Sequence, residues 1–243
     1  MDAFPKISQM GERSILIQFE PEISENVLKK VLTAQKILQK KLLKENVEVM
    51  NTYNSLLISY PVGIDNPYDA FSRLKEELRQ AKIQHSLESR LFYIPVCYDE
   101  QFALDLAEMS AAKNLSKEEI IRLHSSAFYT VYFTGFLPGF LYLGGLPEGL
   151  YFSRRSQPRL EVQKGAVGIG EKQTGIYPQK SPGGWNIIGN SPVRLFDPEA
   201  NPPCEIKAGD KIQFYEVDVE KHQEILEGVK RGNYKLRKEV YGG

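Results

Sequence analysis

The sequence predicts an α+β N-terminal domain followed by a mainly-β domain with peripheral helices, and three observations carry that expectation. Before residue 90, short β-rich runs are interleaved with two segments of helical period. After Phe133 the pattern changes to short β runs separated by Gly and Pro, at spacings typical of a barrel or sandwich. From Phe133 to Asp197, glycine, proline and aromatic residues crowd more densely than elsewhere in the chain, which describes rigid, shaped loops.

In chain order, Ile15–Phe19 is a β-rich run, with Gly11 as the turn before it. Ser24 opens a helix on which Val27, Val31, Ala34, Leu38 and Leu42 recur at three- and four-residue spacing. Two β runs follow, Val47–Tyr53 and Ser55–Tyr60. Asn66 and Pro67 supply an N-cap and a first helical proline to a second amphipathic helix marked by Ala70, Phe71, Leu74, Leu78 and Ala81. Arg90–Val96 alternates as a strand. The order strand, helix, strand, strand, helix, strand predicts a small α+β sandwich with both helices on one face of a mostly antiparallel sheet. A shift in composition near residues 84–90 bounds this first domain at 1–88.

The second domain is expected over 89–230. Two helices come first: one carries Phe102, Leu106 and Met109, and the other opens on a Ser116/Glu119 capping box and buries Ile120, Leu123 and Ala127. Strands are expected at Leu160–Val162, Val167–Ile169, Trp185–Gly189, Val193–Phe196 and Lys211–Tyr215, with Ala208-Gly209-Asp210 as a turn before the last. Val219, His222, Ile225, Leu226 and Val229 mark a closing helix, and residues 231–243 read as a basic, polar, loosely held tail.

Lys plus Arg and Asp plus Glu each number 31, so the formal net charge is zero, which argues against a nucleic-acid footprint. The N-terminus lacks the pattern of a secretory signal, and no run of about 18 apolar residues occurs, so a soluble, cytoplasmic protein is expected. Cys97 and Cys204 lie far apart and only three histidines are present, which speaks for packing thiols over a disulfide framework or a structural zinc site.

The stretch Gly165–Thr174 imitates a phosphate-binding loop but fails on spacing. Glu171 and Gln173 interrupt the junctions that need Lys and Ser or Thr, and Gly175 and Pro178 prevent the following helix. Gln173 also stands where a dinucleotide fingerprint needs a third small residue. Arg154, Arg155 and Arg159 flank Pro158 and suit a carboxylate or phosphate, or else pair with Glu161 and Glu171. Gln173, Thr174, Tyr177, Ser181 and Asn186 offer neutral donors and acceptors fit for an amide or carboxylate. Ser181 has no nucleophile-elbow setting, so a Ser181–His124 pair is poorly supported. His124, one turn beyond Ile120, is either a buried histidine bonded to a neighbour or a proton-transfer group. Phe133, Phe136, Phe140, Tyr142, Tyr177 and Trp185 line an apolar groove or fill the core, with at least half expected to fill.

The motifs Phe133–Leu146, Pro158-Arg159, Gln173–Pro178 and Ser181–Gly189 resemble the family of 5-oxoprolinase B subunits, also called allophanate hydrolase subunit 1, which includes the sporulation kinase A inhibitor. The resemblance implies a small α+β domain followed by a mainly-β cyclophilin-like barrel domain with peripheral helices. It implies ATP-dependent opening of the 5-oxoproline lactam to glutamate, performed with a related cyclophilin-like C subunit and a lactam-utilisation A subunit. The chain departs from the commonest family pattern at Leu141 and Asn186, both expected inside the groove. With no nucleotide loop or metal cluster of its own, it is expected to contribute part of a shared site, the complex binding ATP. In that site His124, Arg155 and Arg159 are the expected catalytic groups. Gln173, Thr174, Tyr177, Ser181, Gly183 and Trp185 are the expected contacts to substrate or nucleotide, and Phe136, Pro138 and Phe140 the groove. Two other readings remain open at this point: a regulatory protein that docks on a sensor histidine kinase and inhibits it, and a scaffold for a catalytic partner.

Overall fold

The computed structural model describes residues 5–79 and 89–242, and the chain divides into two compact units, residues 1–87 and 88–243. In the first unit β1 (Lys6–Met10) and β2 (Ser14–Gln18) form a hairpin around Gly11. The helix α1 (Glu25–Lys41) follows, with Ser24 Oγ accepting from the Val27 amide at 3.3 Å. Next come β3 (Glu48–Asn51), β4 (Ser55–Ser59) and α2 (Pro67–Arg79), where Asn66 Oδ1 accepts from the Tyr68 amide at 3.1 Å. The four strands run antiparallel in the order β1-β2-β4-β3. Ile15 and Ile17 of β2, Leu56 and Ile58 of β4, Val31 and Leu38 of α1 and Leu74 of α2 share one core. Burying such side chains stabilises by about 1.5–3 kcal/mol each. Ala81, expected on α2, lies outside the described residues.

Arg90–Val96 is not the fourth strand of this sheet. That place belongs to β1, an edge strand with mostly exposed side chains, whose hydrophobic signal in sequence is correspondingly weak.

The second unit begins with β5 (Ser89–Val96), α3 (Leu106–Lys113) and α4 (Lys117–Ser126). Strands β6 (Phe128–Thr134), β7 (Leu141–Gly144), β8 (Arg159–Val162), β9 (Ala166–Gly170), β10 (Gln173–Ile176), β11 (Ser181–Gly183), β12 (Asn186–Asn190) and β13 (Lys211–Glu216) follow. The helix α5 (Val219–Lys230) and β14 (Arg237–Tyr241) complete it. Eight strands form one sheet in the order β12-β9-β10-β7-β6-β13-β5-β14, while β8 and β11 form a separate ribbon. The large sheet curls: Cys97, just past β5, and Asn190, at the end of β12, exchange main-chain hydrogen bonds of 2.8 and 2.9 Å. The first strand of the sheet thereby meets the seventh. Phe92, Ile94, Tyr129, Val131, Ile169 and Phe214 are among the side chains that fill the space within.

Three local expectations change. Ser116 Oγ does accept from the Glu119 amide at 3.1 Å, but the Glu119 carboxylate turns to Arg122, so only half of a capping box forms. Val193–Phe196 joins no ladder among the described residues; Val193 and Leu195 are buried, which accounts for its alternating pattern. The C-terminal tail is not loose. Its residues 237–241 pair with β5, Tyr93 Oη donates to Glu239 at 2.7 Å, and the Arg237 guanidinium lies 4.0 Å from the Tyr93 ring centroid. Among the described residues no helix is long and apolar enough to cross a membrane.

Candidate functional site

The run that imitates a phosphate loop is the hairpin β9–β10, and its glycines serve a different purpose. A Cβ on Gly168, Gly170 or Gly175 would meet Trp185 at 3.1, 2.5 and 3.1 Å respectively, so these positions form a bare bed for the indole. Trp185 is 5% exposed, with Phe140 edge-on at 5.5 Å and Tyr177 edge-on at 6.5 Å between centroids. Gly183 leaves Tyr177 the room that a side chain would occupy, and burial pushes the Tyr177 hydroxyl pKa up. Phe140, Tyr177 and Trp185 therefore pack a small second core and do not line an open groove. Phe136 is the opposite case: it is 62% exposed and has a φ of +65°, unusual for a bulky residue. Pro138 is exposed beside it, and Phe133 stacks on Tyr142 at 4.1 Å.

His124 is 0% exposed and stacked on Phe214 at 4.6 Å. The Thr174 hydroxyl donates to Gly168 O at 3.0 Å and so accepts from His124 Nε2–H at 3.0 Å, while Tyr98 Oη donates to Nδ1 at 2.7 Å. Both ring nitrogens are satisfied, and burial lowers the pKa to about 3. The expected proton-transfer role is thereby corrected: His124 is a neutral core histidine, and Thr174 is its partner inside the sheet instead of a substrate contact. Ser181 is buried, its hydroxyl donating to Pro182 O at 3.1 Å, which gives it no histidine partner. Gln173 differs, because its Oε1 is buried without a hydrogen bond among the described residues. Leu141, expected in the groove, is wholly buried in β7.

The arginines come together around a residue that no sequence motif singles out. Asp105, only 2% exposed, receives Arg159 through its two terminal guanidinium nitrogens, at 2.9 and 2.6 Å, and Arg155 at 2.8 Å. Its Oδ2 also accepts from the Ile187 amide at 2.6 Å, and its own amide donates to Ile187 O at 2.8 Å. A bidentate fork of this kind is the geometry that a guanidinium favours for a carboxylate. Arg155 reaches Glu108 as well, at 3.0 Å, and the Glu108 bond followed by the Asp105 charge raises its pKa. The expected partners lie elsewhere: Glu161 pairs with Lys180, and Glu171 accepts from the Arg154 main-chain amide. Asp105 stands directly before α3, where an N-cap is the usual reading, yet its side chain makes no cap.

Next to this cluster lies a cavity of about 590 Å³. One wall is α3, with Glu108 and Lys113; the other is the loop from Tyr151 to Gln157; Asn186 lies at the base of β12. The Arg154 guanidinium sits 5.9 Å from the Trp185 ring centroid. Of the residues expected to bind, Arg154, Arg155 and Asn186 line this cavity; Arg159 stands behind it on Asp105, and Gln173, Thr174, Tyr177, Ser181, Gly183 and Trp185 are not on its surface. Among the described residues no group of three or more His, Cys, Asp or Glu is placed to hold a metal ion.

Residues 5–206 match the family described as carboxyltransferase domain, subdomain C and D. The chain is 36% identical over 222 residues to the 5-oxoprolinase B subunit of Bacillus subtilis, covering 87% of this chain and 92% of that protein. It is 37% identical over 206 residues to the 5-oxoprolinase B subunit of Escherichia coli, covering 84% and 93%. Its fold is similar to part of Kluyveromyces lactis urea carboxylase, with a TM-score of 0.80 at 19% identity over 97% of this chain and 24% of the larger one. That likeness concerns mixed α/β architecture alone. On the strength of motifs and near full-length similarity, the chain belongs to the family of 5-oxoprolinase B subunits within the carboxyltransferase subdomain C and D proteins.

Proposed function

We infer that this chain is one subunit of an ATP-dependent 5-oxoprolinase, a complex that opens the lactam of 5-oxoproline to glutamate. The observation that carries this reading is similarity over more than nine-tenths of the length of two proteins that bear that subunit's name. The shared name favours an enzyme subunit over an inhibitor of a sensor kinase. The partners are a related cyclophilin-like C subunit and a lactam-utilisation A subunit, and the curled sheet joined at Cys97 and Asn190 supports a cyclophilin-like barrel for residues 89–230.

An unstrained lactam resists water, and ATP bound by the complex would supply the activation of its carbonyl. The residues of this chain bind and orient. Arg155 presents a guanidinium edge to the cavity while Asp105 fixes its direction, and Arg159 holds Asp105 from the other side. Asn186, at the base of β12, is a second polar contact on the cavity wall. Reconstitution with the partner subunits tests the reading. The wild-type chain is expected to restore 5-oxoproline-dependent ATP hydrolysis, and Arg155→Ala to lower it about 100-fold with the fold intact. A complex that hydrolyses 5-oxoproline equally well without this chain sinks the assignment.

A further inference from the structure

The cavity beside Asp105 has polar groups that the fold itself does not use. Asn186 reaches it while only 2% exposed, and both hydrogens of its amide are taken, by Ser153 O at 2.8 Å and Ile169 O at 3.2 Å. The two carbonyls fix the orientation of the amide, so the group left over is Oδ1, an acceptor without a hydrogen bond among the described residues. An acceptor whose direction is fixed in this way can take an N–H from a molecule bound in the cavity.

The charges differ from those of the neighbouring cluster. Arg155 is held by Asp105 and Glu108, but Lys113 at the end of α3 and Arg154 on the opposite loop make no ion pair among the described residues. Glu108, the one acidic side chain on the cavity wall, is already paired with Arg155. Two cations without an ion pair among the described residues therefore line a space whose size is ordinary for a small-molecule site.

We propose that this cavity binds a small anion that also carries an N–H donor, with Asn186 Oδ1 taking the N–H and Arg154 and Lys113 taking the anionic oxygens. On the function inferred above, on which this assignment of ligands rests, two molecules carry both groups. One is the lactam acid, through its ring N–H and carboxylate; the other is ATP, through its exocyclic amine and phosphates.

Titration calorimetry on the full chain separates them. Saturable binding of 5-oxoproline or of ATP is expected, weakened at least tenfold by Arg154→Gln and by Lys113→Gln. Blocking the donor on the ligand avoids touching the fold: N-methyl-5-oxoproline, or ATP dimethylated on its exocyclic amine, is expected to lose the same tenfold or more. Loss with the first identifies a lactam site, and loss with the second a nucleotide site. The proposal is overturned if neither ligand binds, if both substituted chains bind as the wild type does, or if the methylated ligands and inorganic phosphate bind as well as their parents. Turnover of the reconstituted complex is read separately. An active complex whose KM values ignore both substitutions removes the subsite and leaves the function; a chain that binds its ligand within an inactive complex removes the function and leaves the subsite.

Discussion

Asp105 shows how much one carboxylate can organise. Two guanidinium groups and one main-chain amide converge on it, tying the approach to α3, the loop before β8 and the start of β12. Asp105→Ala leaves the half-buried Arg159 and the Ile187 amide without their acceptor and Arg155 with Glu108 alone, and a loss of about 1–3 kcal/mol in denaturant unfolding is expected. Its partners stand 50 and 54 residues away, a separation at which no local pattern signals a pair, so the arginines are recognisable in the sequence as an anion site while the anion itself is not. His124 makes a prediction of a different kind. Its folded pKa of about 3 lies below the ordinary 6.5, so between those values the unfolded chain holds a proton that the folded chain refuses. Stability is therefore complete above pH 6.5 and falls as the pH drops through that window, with a limiting slope of about 1.4 kcal/mol per pH unit for each such group. The buried His222, whose Nε2–H donates to Asn190 Oδ1 at 2.9 Å, is shifted in the same direction by burial and adds to the slope. Urea midpoints measured from pH 7 to 4 are expected to fall, and to fall less in His124→Gln; a flat profile contradicts the burial of a neutral imidazole.

Among elements, the helices are the readily anticipated part. Apolar residues at helical spacing and the caps at Ser24, Asn66 and Ser116 locate α1, α2 and α4 because the determinants are local. The strands of the second unit are harder. β9 is buried along its whole length, so it shows no alternation, and its glycines suit a bound phosphate as well as they suit an indole laid across them. The strands β6, β7, β10 and β11 escape a sequence assignment for a related reason, since aromatic and glycine residues there answer to packing across the sheet more than to a two-residue period. Gly170→Ala is the sharpest test of this account. The new methyl would lie 2.5 Å from the indole, and the melting temperature is expected to fall by the equivalent of about 1–3 kcal/mol; an unchanged value would show that the indole bed is not required.

At the scale of the molecule, each unit has a core of its own, one around Ile15, Leu38 and Ile58 and the other around Phe92, Tyr129 and Phe214. Residues 88–243 expressed alone are accordingly expected to fold, with slow amide exchange in β9 and β12; rapid exchange throughout would show that the second core depends on the first unit. The bed of glycines has one further consequence. The chain contains a single tryptophan, and it lies under the guanidinium of Arg154 at the margin of the cavity. Its fluorescence is thus an intrinsic optical reporter, free of competing indoles, and any molecule that draws Arg154 away from the ring will announce itself as a change in emission without a label having been added.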